Sequence, residues 1–116
     1  MTITNLDDGT LIPLYTCFNR ISSYAGKGHV YIERGNILRR SYAELFSDSA
    51  RIHAHFCRIG LQPGERVLLL AADTSHFIAA FLGCVRGGLI PVPVCPPTFN
   101  SHDTAYAAQL GKITAV

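Results

Sequence analysis

Arg66–Val94, RVLLLAADTSHFIAAFLGCVRGGLIPVPV, reads as strand, helix, strand. Val67–Leu70 is a short unbroken apolar run, the pattern of a strand covered on both faces in a parallel sheet. Asp73-Thr74-Ser75 offers side-chain oxygens to the free N–H groups of a helix start. Phe77, Phe81, Cys84 and Val85 follow at helical spacing, so one stripe of that helix can lie on the sheet. Gly87-Gly88 predicts its end, since glycine enters the left-handed conformation without a Cβ clash. Leu89–Val94 returns as the second strand, and a crossover between parallel strands is right-handed. The expectation is an α/β fold with one βαβ unit inside a larger, mainly parallel sheet.

Working outward, 116 residues suit one small domain. Hydrophobic residues make up 48% and charged residues only 16%, against roughly 25% charged in an average domain. That imbalance suits a piece covered on several sides better than a free-standing unit. Lys+Arg number 10 and Asp+Glu 8, a net charge of +2, so no basic footprint points to nucleic acid. A membrane span needs about 20 predominantly apolar residues, and the most apolar region is interrupted by Arg86, Pro91 and Pro93. MTITNLDDGT lacks the basic-then-apolar order of a signal peptide and reads as a flexible leader over residues 1–10. Cys17, Cys57, Cys84 and Cys95 form no CxxC and are expected to be reduced, buried small hydrophobes of a cytoplasmic protein.

Upstream of the βαβ unit, Pro13 suits the first turn of a helix, and Leu14, Cys17, Phe18 and Ile21 mark one face of it to about Tyr24. His29–Glu33 and Ile37–Arg40 predict a hairpin turning through Arg34-Gly35-Asn36. Ser41-Tyr42-Ala43-Glu44 is a capping box that opens a helix. Leu45, Phe46, Ile52, Phe56 and Ile59 carry its phase to a left-handed cap at Gly60. Pro63-Gly64 fits the centre of a type II turn. Pro91 and Pro93, two apart, turn their missing donors to the same neighbour. The strand is therefore an edge or a place where the sheet changes direction, and ligand crevices lie beyond strand ends at such points. Cys95–Asn100 is thus the loop of most interest, and Asp103 can cap a last helix carrying Tyr106, Leu110 and Ile113.

Complete catalytic constellations do not emerge. Gly26-Lys27-Gly28 starts like a phosphate loop, but it lacks the third glycine and follows a helix rather than a strand. His53 and Cys57 share a helix face and His55 points away, so a metal would have two ligands where zinc wants three or four. Ser75-His76 are chain neighbours, which does not set the imidazole on the hydroxyl. Asp73 follows a strand end, where capping is the stronger use for it.

Three segments together resemble a known superfamily. Ser41-Tyr42-Ala43-Glu44-Leu45 is similar to the "(S/T)-Y-x-E-L" motif of the acyl-adenylate-forming ligases. Gly60-Leu61-Gln62-Pro63-Gly64-Glu65-Arg66-Val67 is similar to their "G-(L/V)-x-x-G-D-R-V" segment. Phe77–Val94 resembles "F-x-x-x-x-G-x-x-x-A-G-x-x-x-V-P", with Gly87 in place of the commoner alanine and Glu65 in place of aspartate. Phe81-Leu82-Gly83-Cys84 and Pro91–Pro97 look most like the fatty-acyl-AMP ligases and the loading adenylation domains of nonribosomal peptide and polyketide assembly lines. Cys95 stands where many relatives carry a larger residue.

The resemblance implies that residues 11–116 are an incomplete, N-terminal part of the large subdomain of an AMP-binding domain. The expected pieces are a βαβ unit, an N-terminal helix and a short hairpin. The parent enzyme would join a carboxylate to ATP, with Mg²⁺ offsetting phosphate charge, and release pyrophosphate. It would then pass the acyl group to a thiol of CoA or of an acyl carrier protein's phosphopantetheine. The family's phosphate loop, magnesium-assisting glutamate, ribose-binding aspartate and C-terminal lysine belong beyond residue 116, so no catalytic, nucleotide-binding or metal residue is expected here. Cys95, Pro96, Pro97 and Thr98 are the residues carried over, as lining of the thiol tunnel. The remainder of the adenylation domain is the expected partner, and the fragment alone is expected to self-associate. The competing readings are a self-contained non-enzymatic α/β binding module and a metal site at His53 and Cys57.

Overall fold

The computed structural model describes residues 2–4, 11–97 and 103–115. In chain order the elements are β1 (Thr2–Thr4), β2 (Leu11–Pro13), α1 (Leu14–Ile21), β3 (Gly28–Glu33), β4 (Asn36–Ser41) and α2 (Tyr42–Arg58). They continue as β5 (Arg66–Leu69), α3 (Thr74–Arg86), β6 (Ile90–Pro93) and α4 (Asp103–Thr114). Strands β1–β2 and β3–β4 pair antiparallel and β5–β6 parallel, each as a two-stranded sheet among the described residues. Thr2–Thr4 thus pairs with Leu11–Pro13, within a stretch whose sequence carries no strand pattern. Pro13 ends β2 and serves as the N-cap of α1, one position earlier than the first turn.

The βαβ unit forms as its residues dictate. Arg66 sits opposite Ile90 and Leu69 opposite Pro93 in a parallel register. Gly88, at φ +68°, is the left-handed residue after α3, and Leu89 N–H donates to Cys84 O at 2.9 Å while Gly88 N–H donates to Val85 O. This is a Schellman closure, which satisfies carbonyls left free at a helix end. Gly60 (φ +92°) closes α2 the same way, with Leu61 N–H on Phe56 O and Gly60 N–H on Cys57 O, both at 3.0 Å. At the front of α2 the capping box is complete. Glu44 N–H donates to Ser41 Oγ at 3.1 Å, and Ser41 N–H donates to a Glu44 carboxylate oxygen at 2.8 Å.

Hairpin β3–β4 turns more tightly than the sequence pattern suggests. Glu33 and Asn36 are its last pair, so the loop is Arg34-Gly35 alone, at φ +51° and +80°. Two successive positive φ values make the type I′ turn that matches strand twist, and an arginine in the left-handed region is what the sequence does not announce.

Helix α3 lies at the centre. Ala79 joins Phe18 and Leu45 in one cluster, flanked by Ile21, Phe46, Ile52, Ile78 and Leu82. Cys84 joins Leu69 and Leu89 in a second, flanked by Phe56, Phe77 and Phe81. The first cluster faces α1 and α2, and the second faces the sheet. Glycines allow α2 to approach this closely: a Cβ on Gly83 would fall 2.8 Å from Ile52 Cγ2. The expectation of four buried cysteines is corrected. Only Cys84 is buried; Cys17 is half-buried, and Cys57 and Cys95 are exposed. Cys57 lies near the C-terminal end of α2, on the rim of a small pocket walled by Phe56, Leu61 and Leu89 rather than inside it, and Cys95 follows the sheet into a loop. Ile59, read as continuing the apolar face of α2, is its C-cap and 60% exposed.

Candidate functional site

Parallel strands end on the same side of a sheet, so the loops after Leu69 and after Pro93 open together, where α/β sheets keep their ligand crevices. Ile90 N–H donates to Glu65 O at 2.8 Å and Val94 N–H to Leu69 O at 3.1 Å. Pro91 and Pro93 alternate with these donors and therefore turn their missing N–H groups to the side away from β5. No complete ladder can form there. The loop beyond is Cys95-Pro96-Pro97, with the Cys95 thiol 3.6 Å from its neighbour's carbonyl oxygen. Tyr106 on α4 fixes this loop by donating its hydroxyl to Cys95 O at 2.8 Å, a tie between residues that the sequence links by no pattern. Thr98 lies outside the described residues, as does the side chain of Asp103.

At the end of β5, Asp73 holds the N-cap position of α3 in extended geometry, but its carboxylate makes no capping hydrogen bond. Glu33, from the hairpin, does so instead: Ser75 N–H donates to Glu33 Oε1 at 2.8 Å. A carboxylate already answers the partial positive charge of that helix start. Asp73 turns to Arg34 (3.5 Å) and His76 Nδ1 (3.4 Å), whose side chains are 82% and 79% exposed. Pairs this wet contribute about 0–1 kcal/mol. Ser75 and His76 therefore meet in a charged rim with Glu33, Arg34 and Asp73, rather than as nucleophile and base.

Beside this rim a cleft of about 670 Å³ opens between α2, α3 and β5, with Leu45, Ile52, Val67 and Ala79 among its apolar walls and Arg40 and Asp48 at its polar ones. Cys95, Pro96 and Pro97 do not line it. Asp48 bonds Arg51 and lies 3.9 Å from Arg40. Tyr31 reaches the same cleft with its hydroxyl buried and without a hydrogen-bond partner among the described residues, and burial raises its pKa above the ordinary phenol value. Burial likewise raises the Cys84 thiol, which suits a packing role.

No cluster of three His, Cys, Asp or Glu able to hold a metal occurs among the described residues. Gly26-Lys27-Gly28 leads into β3 rather than into a helix start, so its N–H groups do not converge on an anion. His53 and Cys57 do meet, with Sγ 3.6 Å from Nε2, whereas His55 turns to Arg58. No helix among the described residues is long and apolar enough to cross a membrane.

Comparison with known proteins agrees with this architecture. The sequence model of the family described as AMP-binding enzyme matches residues 20–116. A putative fatty-acid–CoA ligase of Mycobacterium tuberculosis is 39% identical over 70 residues, 60% of this chain and 12% of that protein. The fatty acyl-adenylate ligase of L. pneumophila, solved with acyl adenylate and pyrophosphate, superposes with a TM-score of 0.68 at 30% identity. That match covers 73% of this chain and 15% of that one. An A-PCP structure of McyG with phenylalanyl-adenylate matches 97% of this chain at a TM-score of 0.81 and 23% identity, which speaks to fold alone, and 18% of its own length. The chain belongs to the AMP-binding enzyme family. It spans between about an eighth and a fifth of the length of these relatives.

Proposed function

We propose that this chain is the N-terminal scaffold of an ATP-dependent carboxylate-activating ligase and is inactive alone. The whole protein joins a carboxylic acid to ATP to give acyl-AMP and pyrophosphate, with Mg²⁺ offsetting the phosphate charge. The acyl group then passes to a thiol of CoA or of a carrier protein's phosphopantetheine. The observation that carries this reading is the family match over residues 20–116 on a chain that supplies 12% of one relative's length and 15% of another's. Uncovered surfaces support it. Val30, Ile32 and Ile37 share one face of the hairpin and are 57%, 78% and 63% exposed, an apolar face of the kind that marks a missing partner. The remainder of the adenylation domain is that partner, and without it the chain self-associates. Cys95, Pro96, Pro97 and Thr98 line the approach of the acceptor thiol. All four cysteines are unpaired, which suits the cytoplasm.

The test is pyrophosphate release from ATP with a panel of fatty acids, on the chain alone and on a polypeptide continued through a full adenylation domain. Activity should appear only in the second. Release by the 116-residue chain above background overturns the scaffold reading. A compact monomer with one sharp unfolding transition supports instead a self-contained interaction module.

A further inference from the structure

Near the C-terminal end of α2, where it meets the end of α3, His53 and Cys57 lie one turn apart, and the thiol sulfur is 3.6 Å from Nε2 and 3.9 Å from Nδ1. The imidazole is half-buried and the thiol exposed. The ring occupies a niche that only glycine leaves open: a Cβ on Gly87 would fall 2.5 Å from Nδ1 and 2.7 Å from Cε1. Directly beside it is a pocket of about 160 Å³ walled by Phe56, Leu61, Pro63 and Leu89, with His53 and Cys57 on its rim. Base, nucleophile and receiving space are thus assembled at one place, apart from the loop after β6.

We propose that Cys57 is a thiol-modification site that takes a low-molecular-weight disulfide, with His53 as its base. His53 accepts the Cys57 proton as the sulfur attacks one sulfur of the reagent. A new S–S bond forms, the reagent's own S–S bond breaks, and the leaving thiolate takes the proton back from His53. Cys57 ends oxidised as a mixed disulfide, one half of the reagent ends reduced as a free thiol, and no further oxidant enters. The 160 Å³ pocket holds the half that stays.

Two internal references make the site testable in the chain as it stands. Cys95 is, like Cys57, an exposed thiol but has a carbonyl oxygen, not an imidazole, at its sulfur. Cys84 is fully buried and reports the fold. The probe is 5,5′-dithiobis(2-nitrobenzoic acid), used below stoichiometry on preparations whose Cys84 stays protected, with peptide mass spectrometry to assign each adduct. Cys57 is expected to react at least about tenfold faster than Cys95, a small part of the 10²–10⁴ that a positioned base supplies. His53→Gln should bring Cys57 down to the Cys95 rate. Gly87→Ala should do the same while leaving His53 in the chain, because the methyl displaces the ring. Equal rates at Cys57 and Cys95 in the unsubstituted chain overturn the proposal, as does a Cys57 rate that His53→Gln leaves unchanged.

Discussion

Gly83→Ala isolates the contact that holds α2 on α3. Glycine inside a helix costs about 1 kcal/mol relative to alanine, so the substitution would stabilise α3 if nothing opposed it. Here the new Cβ would sit 2.8 Å from Ile52 Cγ2 and 3.1 Å from Ile52 Cβ, with Ser49 O at 3.4 Å. Ile52 is β-branched on a helix, so its χ1 cannot swing away, and Ser49 is fully buried with its hydroxyl on Phe46 O. Overpacking of this kind costs about 1–3 kcal/mol. The net expectation is a loss of about 0–2 kcal/mol in urea denaturation followed by circular dichroism. Ile52→Ala removes Cγ2 and loses about 2–4 kcal/mol through its cavity, but it also makes room for the new methyl. The double variant should therefore be about 1–2 kcal/mol more stable than the sum of the singles predicts, well outside the 0.3–0.5 kcal/mol of independent sites. Gly83→Ala raising stability by about 1 kcal/mol, or strict additivity with Ile52→Ala, would show that this close approach does not constrain the helix pair.

Glu33→Ala should cost about 0.5–2 kcal/mol, since it leaves the Ser75 N–H without its acceptor. Asp73→Ala, at the formal N-cap, should cost less than about 1 kcal/mol because its partners are exposed; thermal melts of the two rank them, and the reverse order refutes the assignment. The Glu44 carboxyl is held below its usual pKa first by the Ser41 N–H and then by the Ser41 hydroxyl. A depressed folded-state pKa contributes stability that is complete above the unfolded value of about 4.5 and is lost as pH falls through the folded value. Glu44→Gln should flatten that acid limb in pH-dependent melts while keeping the helix, because glutamine can also close the box.

Local chemistry was legible wherever a residue's own backbone enforced the outcome. Gly60, Gly64 and Gly88 take positive φ where the turn signals lie, and the Ser41–Glu44 box forms between residues three apart. The parallel pairing of β5 and β6 followed from apolar runs flanking an amphipathic helix, and the donor-free edge at Pro91 and Pro93 followed from covalent structure alone. The candidate loop at Cys95–Pro97 was found by the same prolines, while the Tyr106 hydroxyl that fixes it was not, because that bond depends on where α4 settles.

The helix ends and the βαβ order are therefore properties of short-range sequence, set by steric and hydrogen-bonding rules acting within a few residues, while the family was legible as a resemblance in the order and spacing of three motifs. Tertiary structure alone decided that Glu33 rather than Asp73 caps α3 and that Gly87 leaves the space His53 fills. Each of these joins residues far apart in the chain, where proximity arises only after the helices have packed on one another and no local pattern encodes the distance.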